Sequence, residues 1–266
     1  MAAQAAAQAR KSALILGVDT AAGAYLARLL DARGYQVAGT GDPGLLVRLG
    51  IGDDVQRYDA ADAAIAEARP DEIYDLCHDE AVTAALLDSA GPARVFVAAS
   101  SGAARNAVAR ARDAGRFAVT GTVFPHESRL GPGMSPVARI TAAAAARADP
   151  DAADLASVTD CGWTPEAVDA MARMLQQPAP VDFAIATGRA LTGVDAARHA
   201  FEYFGRDASR FIDEPDGVAS TDVNAANNSA TGAVGDPAPA AAALGWRAVT
   251  WGRDLVRVLC EGIATN

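Results

Sequence analysis

The chain has 266 residues, a formal net charge of −10 and an apolar fraction of 51%, which allows a buried core in one large domain or one and a half. The acidic excess excludes nucleic acid and anionic membranes as expected partners, because binding phosphate requires a basic surface. Its three cysteines and three histidines are dispersed without metal-ligand spacing, and no apolar run is long enough to span a membrane. We therefore expect no metal and a cytoplasmic location.

The first half of the sequence predicts short apolar strands that alternate with helices. The predicted strands cover residues 12–17, 36–39, 72–76, 94–99 and 117–124. The predicted helices cover 21–33, 60–68 and 81–89. Because such alternation indicates parallel pairing with right-handed crossovers, we expect an α/β fold with a Rossmann-like, doubly wound parallel sheet.

After residue 124 the pattern changes to longer helices and polar loops. Helices are predicted at 137–148, 165–177, 195–204 and 253–262, a strand at 182–186, and loops at 125–136 and 220–233. We expect a dinucleotide-binding domain at 12–122, with 158–188 returning to it. A smaller α/β substrate-type domain is expected at 123–157 and 189–266, after a flexible N-terminus at 1–11.

A candidate phosphate-binding loop lies between the first predicted strand and helix. The sequence from Gly17 to Gly23 places glycines at both ends, but Thr20 stands where the middle glycine of such a loop is expected. Asp19 adds a carboxylate close to the expected phosphate. One interpretation is a weakened dinucleotide site that includes Ala22, and the other is an ordinary strand–helix turn that keeps its glycines for backbone reasons.

Two positions at later strand ends are also candidates for cofactor contact. Asp42 lies where a ribose-binding acid is expected, which would favour NAD over NADP, although it is also a typical turn residue before Pro43. Cys77 and His78 follow the predicted strand at 72–76, at the edge where such sheets bind ligands. They are either an activated thiol with its base or a buried cysteine beside a loop histidine, and we favour the second.

Several stretches resemble one family in the order in which that family has them. The sequence Val-Phe-Pro-His-Glu-Ser-Arg-Leu-Gly at 123–131, followed by Ala-Arg-Ile-Thr at 138–141, resembles "FNHESPRRG…TRKIT" of the GDP-mannose 4,6-dehydratase family. Further likenesses are Asp-Cys-Gly at 160–162 to "RDWGH", 174–188 to "MLQQ…DDFVIATGE", and 235–246 to "GDPSKA…LGW". The chain is thus identified as a member of the extended short-chain dehydrogenase superfamily, nearest to that dehydratase.

The resemblance implies catalytic positions that this chain changes. The family's "STSELYG" stretch aligns with 99–102, which places Ser100 at the catalytic threonine and Gly102 at the catalytic glutamate. The family also uses a Tyr-x-x-x-Lys pair, in which the lysine holds the nicotinamide ribose and lowers the tyrosine pKa. The chain has a single lysine, Lys11, and all five tyrosines follow it, so no such pair exists.

The implied substrate-binding positions are changed as well. Pro125 stands at the asparagine of the substrate loop, next to His126 and Glu127, and Thr159 replaces a phosphate-binding arginine. Arg139 keeps a positive charge for a nucleotide. Because the helices in 81–91 and 103–115 are shorter than the pair that joins subunits in the superfamily, the usual homodimer is in doubt.

Three hypotheses follow. We prefer a degenerate family member that lacks dehydratase activity and acts by binding a GDP-sugar or another nucleotide. The second is an active NAD(P)-dependent nucleotide-sugar dehydratase or oxidoreductase with altered catalytic residues, such as Ser100 with His78 or Cys77. The third is a scaffold for a protein partner, for example an intact paralogue. NAD is favoured over NADP as the cofactor, and loss of cofactor binding is the other expected outcome.

Overall fold

The computed structural model describes residues 10–99, 101–130, 135–209 and 234–264. Most of the predicted flexible N-terminus (residues 1–9), the candidate catalytic Ser100 and the predicted loop at 220–233 lie outside these ranges. No helix in the described part of the chain is both long and apolar enough to cross a bilayer.

Two compact units make up the chain. Unit 1 is drawn from Met1–Thr120 and Leu175–Val181, and unit 2 from Gly121–Met174 and Asp182–Asn266. The predicted domains have other bounds, 12–122 with 158–188 and 123–157 with 189–266, and they stay a prediction.

Unit 1 alternates strands with helices. Its strands are β1 Ser12–Leu16, β2 Gln36–Thr40, β3 Val55–Tyr58, β4 Glu72–Asp75, β5 Arg94–Ala98 and the first half of β6 Ala118–Val123. Its helices are α1 Ala21–Ala32, α2 Gly44–Arg48, α3 Ala61–Ala68, α4 Glu80–Ser89 and α5 Gly102–Asp113. The strands lie in the order β6-β5-β4-β1-β2-β3, and β1 runs parallel to both β2 and β4. The predicted doubly wound α/β fold is confirmed.

Side-chain alternation along β1 explains how helices cover both faces of this sheet. Leu14 and Leu16 belong to one apolar cluster with residues of α3, α4 and α5. Ala13 and Ile15 are equally buried, and successive strand residues point to opposite faces, so they face the other side. Helices α3 and α5 present mainly alanines to this cluster, whereas α4 presents Leu86 and Leu87.

Strand β3 is absent from the sequence prediction. It is an edge strand paired with β2 alone, and only Val55 of its four residues is buried. Without an apolar run or strict alternation, an edge strand of this kind gives little periodic signal.

Unit 2 contains more helix than strand. Its elements are the end of β6, β7 His126–Glu127, α6 Pro136–Ala145, α7 Ala152–Leu155, β8 Val158–Thr159, β9 Gly162–Trp163, α8 Thr164–Met174, β10 Phe183–Ile185, β11 Leu191–Thr192, α9 Gly193–Tyr203, α10 Ala238–Leu244 and α11 Gly252–Ala264. Strand β10 pairs in parallel with the end of β6, so the full sheet has seven strands. Helices α6, α9 and α11 share a second apolar core that includes Ile140, Phe201 and Leu255.

Candidate functional site

The turn between β1 and α1 keeps its glycines for demonstrable backbone reasons. Gly17 has φ +94°, and a Cβ on Gly23 would lie 2.0 Å from the carbonyl oxygen of Gly17. Both positions therefore exclude larger residues whether or not a phosphate binds. Ala22 is buried in the first turn of α1.

Thr20 is the N-cap of α1. Its Oγ1 accepts a hydrogen bond from the Gly23 amide at 2.9 Å and donates one to the Gly17 carbonyl at 2.8 Å. A helix N-terminus binds anions through amides that have no partner in the helix. Because Thr20 already satisfies the Gly23 amide, the turn offers an anion fewer donors than a glycine at this position would leave.

Two carboxylates lie near the end of β2, that of Asp42, which spacing predicts, and that of Asp19. Oδ1 of Asp42 accepts a hydrogen bond from the Gly44 amide at 2.7 Å, which is the turn role of an aspartate. The carboxylate of Asp19 instead lies against Gly41, where a Cβ would be 2.5 Å from its Oδ1. The turn reaches this place because the Gly17 and Val18 amides both donate to the Thr40 carbonyl, at 3.2 and 3.0 Å.

Cys77 lies just past the end of β4, and its thiol is bound to a carboxylate. Its Sγ donates to Oδ1 of the buried Asp75 at 2.8 Å, and the other Asp75 oxygen accepts from Thr83 Oγ1 at 2.5 Å. Burial, reinforced by this hydrogen bond, raises the pKa of Cys77 to about 12. The thiol is therefore protonated at neutral pH, which removes the nucleophile that an activated-thiol site needs.

His78 supplies no base to this thiol. It is exposed, has φ +56°, and makes no hydrogen bond with Cys77 among the described residues. The geometry agrees with a protonated cysteine beside a loop histidine. In the part of the chain that the structure describes, no group of three or more His, Cys, Asp or Glu side chains is arranged to hold a metal ion.

Lys11 lies at the amino-terminal ends of the strands of unit 1, whereas Asp42 and Cys77 follow their carboxyl ends. It precedes β1, and its Nζ lies 3.1 Å from Oε1 of Glu72, the first residue of β4. Nζ also donates to Oε1 of Gln176 at 2.8 Å. Since ligands of open parallel sheets bind at the carboxyl ends of the strands, Lys11 is outside that region of unit 1.

The residues of unit 2 that are predicted to contact substrate make hydrogen bonds within that unit. Strand β7 pairs with β9, with His126 opposite Gly162, and the Pro125 carbonyl accepts from the Gly162 amide at 2.9 Å. Nδ1 of His126 lies 3.4 Å from Oγ1 of Thr164. Glu127 is buried and accepts from the Ser135 amide, at the N-cap of α6, at 3.1 Å.

Two cavities of unit 2 share Trp163, Glu166 and Trp246, and the one that His126 does not line measures about 450 Å³, whereas the one beside His126 is small. The cavity there measures about 10 Å³ and is lined by Phe124, Pro125, Trp163 and Ile185 among others. This is room for about one water molecule, whereas small-molecule sites measure roughly 300–1,000 Å³. A Cβ on Gly235 would lie 2.7 Å from the Phe124 ring, so the chain at Gly235 closes this region.

Asp160 has a role that the motif alone did not reveal. Its side chain is 1% exposed and accepts four hydrogen bonds. These come from the amide and hydroxyl of Thr187 at 2.9 and 2.6 Å, the Gly188 amide at 3.0 Å and the Gly235 amide at 3.1 Å. In the sequence Asp160 stands between Thr159 and Cys161, and its partners lie 27 to 75 residues away, so no local pattern reveals them.

Arg139 is paired within unit 2. Its Nε donates to Oδ2 of Asp154 at 2.9 Å, and the two side chains form a second bond through Nη2. The hydrogen bond to Asp154 raises the pKa of Arg139, and the carboxylate compensates its charge. A nucleotide phosphate would have to compete with Asp154 for this guanidinium.

Comparison with solved structures shows that the chain shares its fold with a nucleotide-sugar dehydratase, a nucleotide-sugar epimerase and the enzyme WbmF. The chain resembles the Bordetella bronchiseptica enzyme WbmF, solved with NAD+ and UDP, with a TM-score of 0.75 and 14% identity over 97% of this chain and 93% of that one. It also resembles dTDP-glucose 4,6-dehydratase from Bacillus anthracis, solved with NAD, with a TM-score of 0.77 and 8% identity over 96% and 97%. The chain also resembles UDP-glucose 4-epimerase from Thermotoga maritima, solved with UDP-glucose, with a TM-score of 0.74 and 16% identity over 96% of this chain and 99% of that one.

The family itself follows from the sequence match. The model of the GDP-mannose 4,6-dehydratase family matches residues 88–259, and the chain belongs to that family. The predicted family and the predicted fold are both confirmed.

The residues of the β1–α1 turn in unit 1 fit the dinucleotide that this fold implies only in part. The backbone of the turn from Gly17 to Gly23 fits, because its positive φ and its close approach are those of a dinucleotide loop. The pyrophosphate position does not fit, because Thr20 occupies the Gly23 amide and Asp19 adds a negative charge.

Proposed function

We propose that this chain is a family member that acts by binding a nucleotide-type ligand and does not catalyse the dehydratase reaction. The observation that carries the proposal is the position of Lys11. It is the chain's single lysine, and it is held by Glu72 and Gln176 at the amino-terminal edge of the sheet.

The chemistry of the family requires groups that this chain lacks. Hydride removal at C4 of the sugar needs a base for the hydroxyl proton, and loss of water across C5–C6 needs a base and an acid. The chain has no Tyr-x-x-x-Lys pair to lower a tyrosine pKa. Lys11 lies near Tyr35, but burial and the Glu72 carboxylate outweigh its effect on the pKa of Tyr35. Two tyrosines have the opposite environment, because burial raises the pKa of Tyr35 and of Tyr74.

The candidate substituting groups give little support to retained catalysis. The thiol of Cys77 is protonated at neutral pH, and Gly102 replaces the catalytic glutamate that the family resemblance implies. On the substrate side, Arg139 is paired with Asp154, and the space beside His126 holds about one water molecule. These features argue against turnover of the family's substrate. The support for a nucleotide-type ligand comes from the NAD and UDP complex of a similar fold.

An assay of the full chain with GDP-mannose and either NADP+ or NAD+ tests the proposal. We expect no 4-keto-6-deoxy sugar by mass spectrometry over long incubation at high protein concentration. Formation of that product, above a control with heat-denatured protein, would overturn the proposal and favour the alternative of an active dehydratase with altered catalytic residues.

A further inference from the structure

We propose that unit 2 has a binding site for a small aromatic carboxylate, in the cavity beside Arg247. This cavity measures about 450 Å³, within the range of roughly 300–1,000 Å³ that is typical of small-molecule sites. Of the residues that the structure describes, none that is predicted to bind substrate or a dinucleotide lines it. The inference therefore goes beyond the proposed function and does not depend on it.

The walls of the cavity come from the start of α8 and from the segment that links α10 to α11, and hydrogen bonds join the two. Nε1 of Trp246 donates to the Glu166 carbonyl at 2.9 Å. The Glu166 carboxylate accepts from the Val249 amide at 2.8 Å and from the amide and hydroxyl of Thr250 at 3.2 and 2.6 Å. Because the walls are joined in this way, the cavity is preformed, as small-molecule sites usually are.

The charged side chains of the cavity favour an anion. The carboxylate of Glu166 is engaged by the three donors just described, and Oδ2 of Asp169 accepts from Nε of Arg173 at 2.8 Å. The guanidinium of Arg247 is exposed and has no hydrogen-bond or ion-pair partner among the described residues. A cation would therefore meet carboxylates that already have donors, whereas an anion would meet a guanidinium that can still donate.

Among anions, the cavity favours a carboxylate over a phosphate. A guanidinium matches the planar carboxylate group, which it can bind through two parallel hydrogen bonds. Glu166 and Asp169 line the same cavity as Arg247. Because Coulomb repulsion grows with charge, these two carboxylates repel a phosphate dianion more strongly than a carboxylate monoanion.

The uncharged part of the ligand should be an aromatic ring. Trp163 and Trp246 both line the cavity, and Trp246 is 4% exposed with its N–H already bonded to Glu166, so it offers apolar surface rather than a donor. The guanidinium of Arg173 is held by its ion pair and by the Leu244 carbonyl at 3.1 Å. A planar ring can stack on indole and on a fixed guanidinium, which an aliphatic group of the same size cannot.

Titration calorimetry on the full chain tests the charge preference with 2-naphthoate, its neutral amide and 2-naphthyl phosphate as probes. We expect 2-naphthoate to bind most tightly, with the amide about fivefold weaker, as for an ion pair at an exposed guanidinium. Arg247→Ala should weaken 2-naphthoate by about fivefold and abolish its preference over the amide. Arg253→Ala removes another exposed cation of unit 2 that does not line the cavity, and as the matched control it should leave the affinity unchanged.

A second pair of variants tests the aromatic preference. Trp163→Leu keeps an apolar side chain but removes the ring, so it should weaken 2-naphthoate more than cyclohexanecarboxylate. Trp251→Leu changes a partly exposed tryptophan of the same unit outside the cavity and serves as its control. Thermal unfolding checks that each variant folds, and the result with Arg247→Ala decides the inference if Trp163→Leu does not.

Four results would each overturn the inference. They are no binding of 2-naphthoate at millimolar concentration, equal affinities for the acid and its amide, tighter binding of the phosphate than of 2-naphthoate, and equal affinities of Arg247→Ala and Arg253→Ala for 2-naphthoate. A dehydratase product in the separate assay would refute the proposed function without bearing on this cavity.

Discussion

Oε1 of Glu72 lies 3.1 Å from Nζ of Lys11, and the Glu72 side chain is 1% exposed while that of Lys11 is 52% exposed. The same carboxylate also accepts from the hydroxyls of Tyr35 and Tyr74 and from Nε2 of Gln176. Through these bonds the single lysine connects the start of the sheet to the segment Leu175–Val181, whose chain neighbours on both sides belong to unit 2. Its role is in the stability of unit 1.

Lys11→Met should therefore destabilise the protein. Removing the ammonium leaves a buried carboxylate with neutral donors only, and we expect a loss of about 1–2 kcal/mol, less than for a fully buried pair because Lys11 is half exposed. Urea denaturation of the variant and the wild type measures this. Arg28→Met removes an exposed cation in α1 and should change stability by less than about 0.5 kcal/mol. Equal stability of Lys11→Met and wild type would contradict the assigned role.

The partners of Lys11 show where sequence reasoning stops. The apolar runs of β1 and β4 and the helical period of α1 predict those elements with nearly correct bounds, because they are buried in a regular pattern. The contact of Lys11 with Glu72 joins residues 61 positions apart, and no periodicity encodes it. Spacing likewise predicts Asp42 as the acid at the end of β2. It does not reveal that the β1–α1 turn contacts Thr40 through the Gly17 and Val18 amides, because that contact is visible only in three dimensions.

Cys77 should make the protein less stable as the pH rises into the alkaline range. Its pKa is raised from 9.0 to about 12 in the folded protein, so the folded state holds the thiol proton more tightly than the unfolded state. This contribution is fully present below pH 9.0 and is lost as the pH rises toward 12. Cys77→Ser keeps a hydroxyl donor for Asp75 but does not titrate in this range.

The free energies of unfolding of the wild type and of Cys77→Ser should differ increasingly as the pH rises above the ordinary thiol pKa. One pH unit above it, the wild type should have lost about 1 kcal/mol more than Cys77→Ser relative to neutral pH. Urea denaturation across the range measures the difference. Peptide-level mass spectrometry after brief iodoacetamide treatment gives a second readout, because Cys77 should react slowly when folded and rapidly in urea. Fast alkylation of folded Cys77 at neutral pH would contradict the raised pKa.

Asp160 should be among the most sensitive positions of unit 2. Asp160→Ala leaves the amides of Thr187, Gly188 and Gly235 without their acceptor, and we expect a loss of about 3 kcal/mol or more. Asp160→Asn keeps one acceptor oxygen and should lose less. Chemical denaturation measures both, with Asp151→Asn as the matched exposed control. If Asp160→Ala lost no more than that control, the hydrogen-bond network would not contribute to stability.

Thr20 offers a test of why the turn disfavours phosphate. Thr20→Gly restores the missing glycine and frees the Gly23 amide, at a cost of about 1 kcal/mol or less for the lost N-cap. With the amide free to meet the pyrophosphate, we expect NAD+ affinity to rise about fivefold to tenfold and adenosine affinity to stay the same. Thr20→Ser keeps the capping oxygen, so its affinities should match the wild type. Calorimetry with both ligands measures the changes. An equal rise in both variants, or none in Thr20→Gly, would show that the cap is not what limits phosphate binding in this turn.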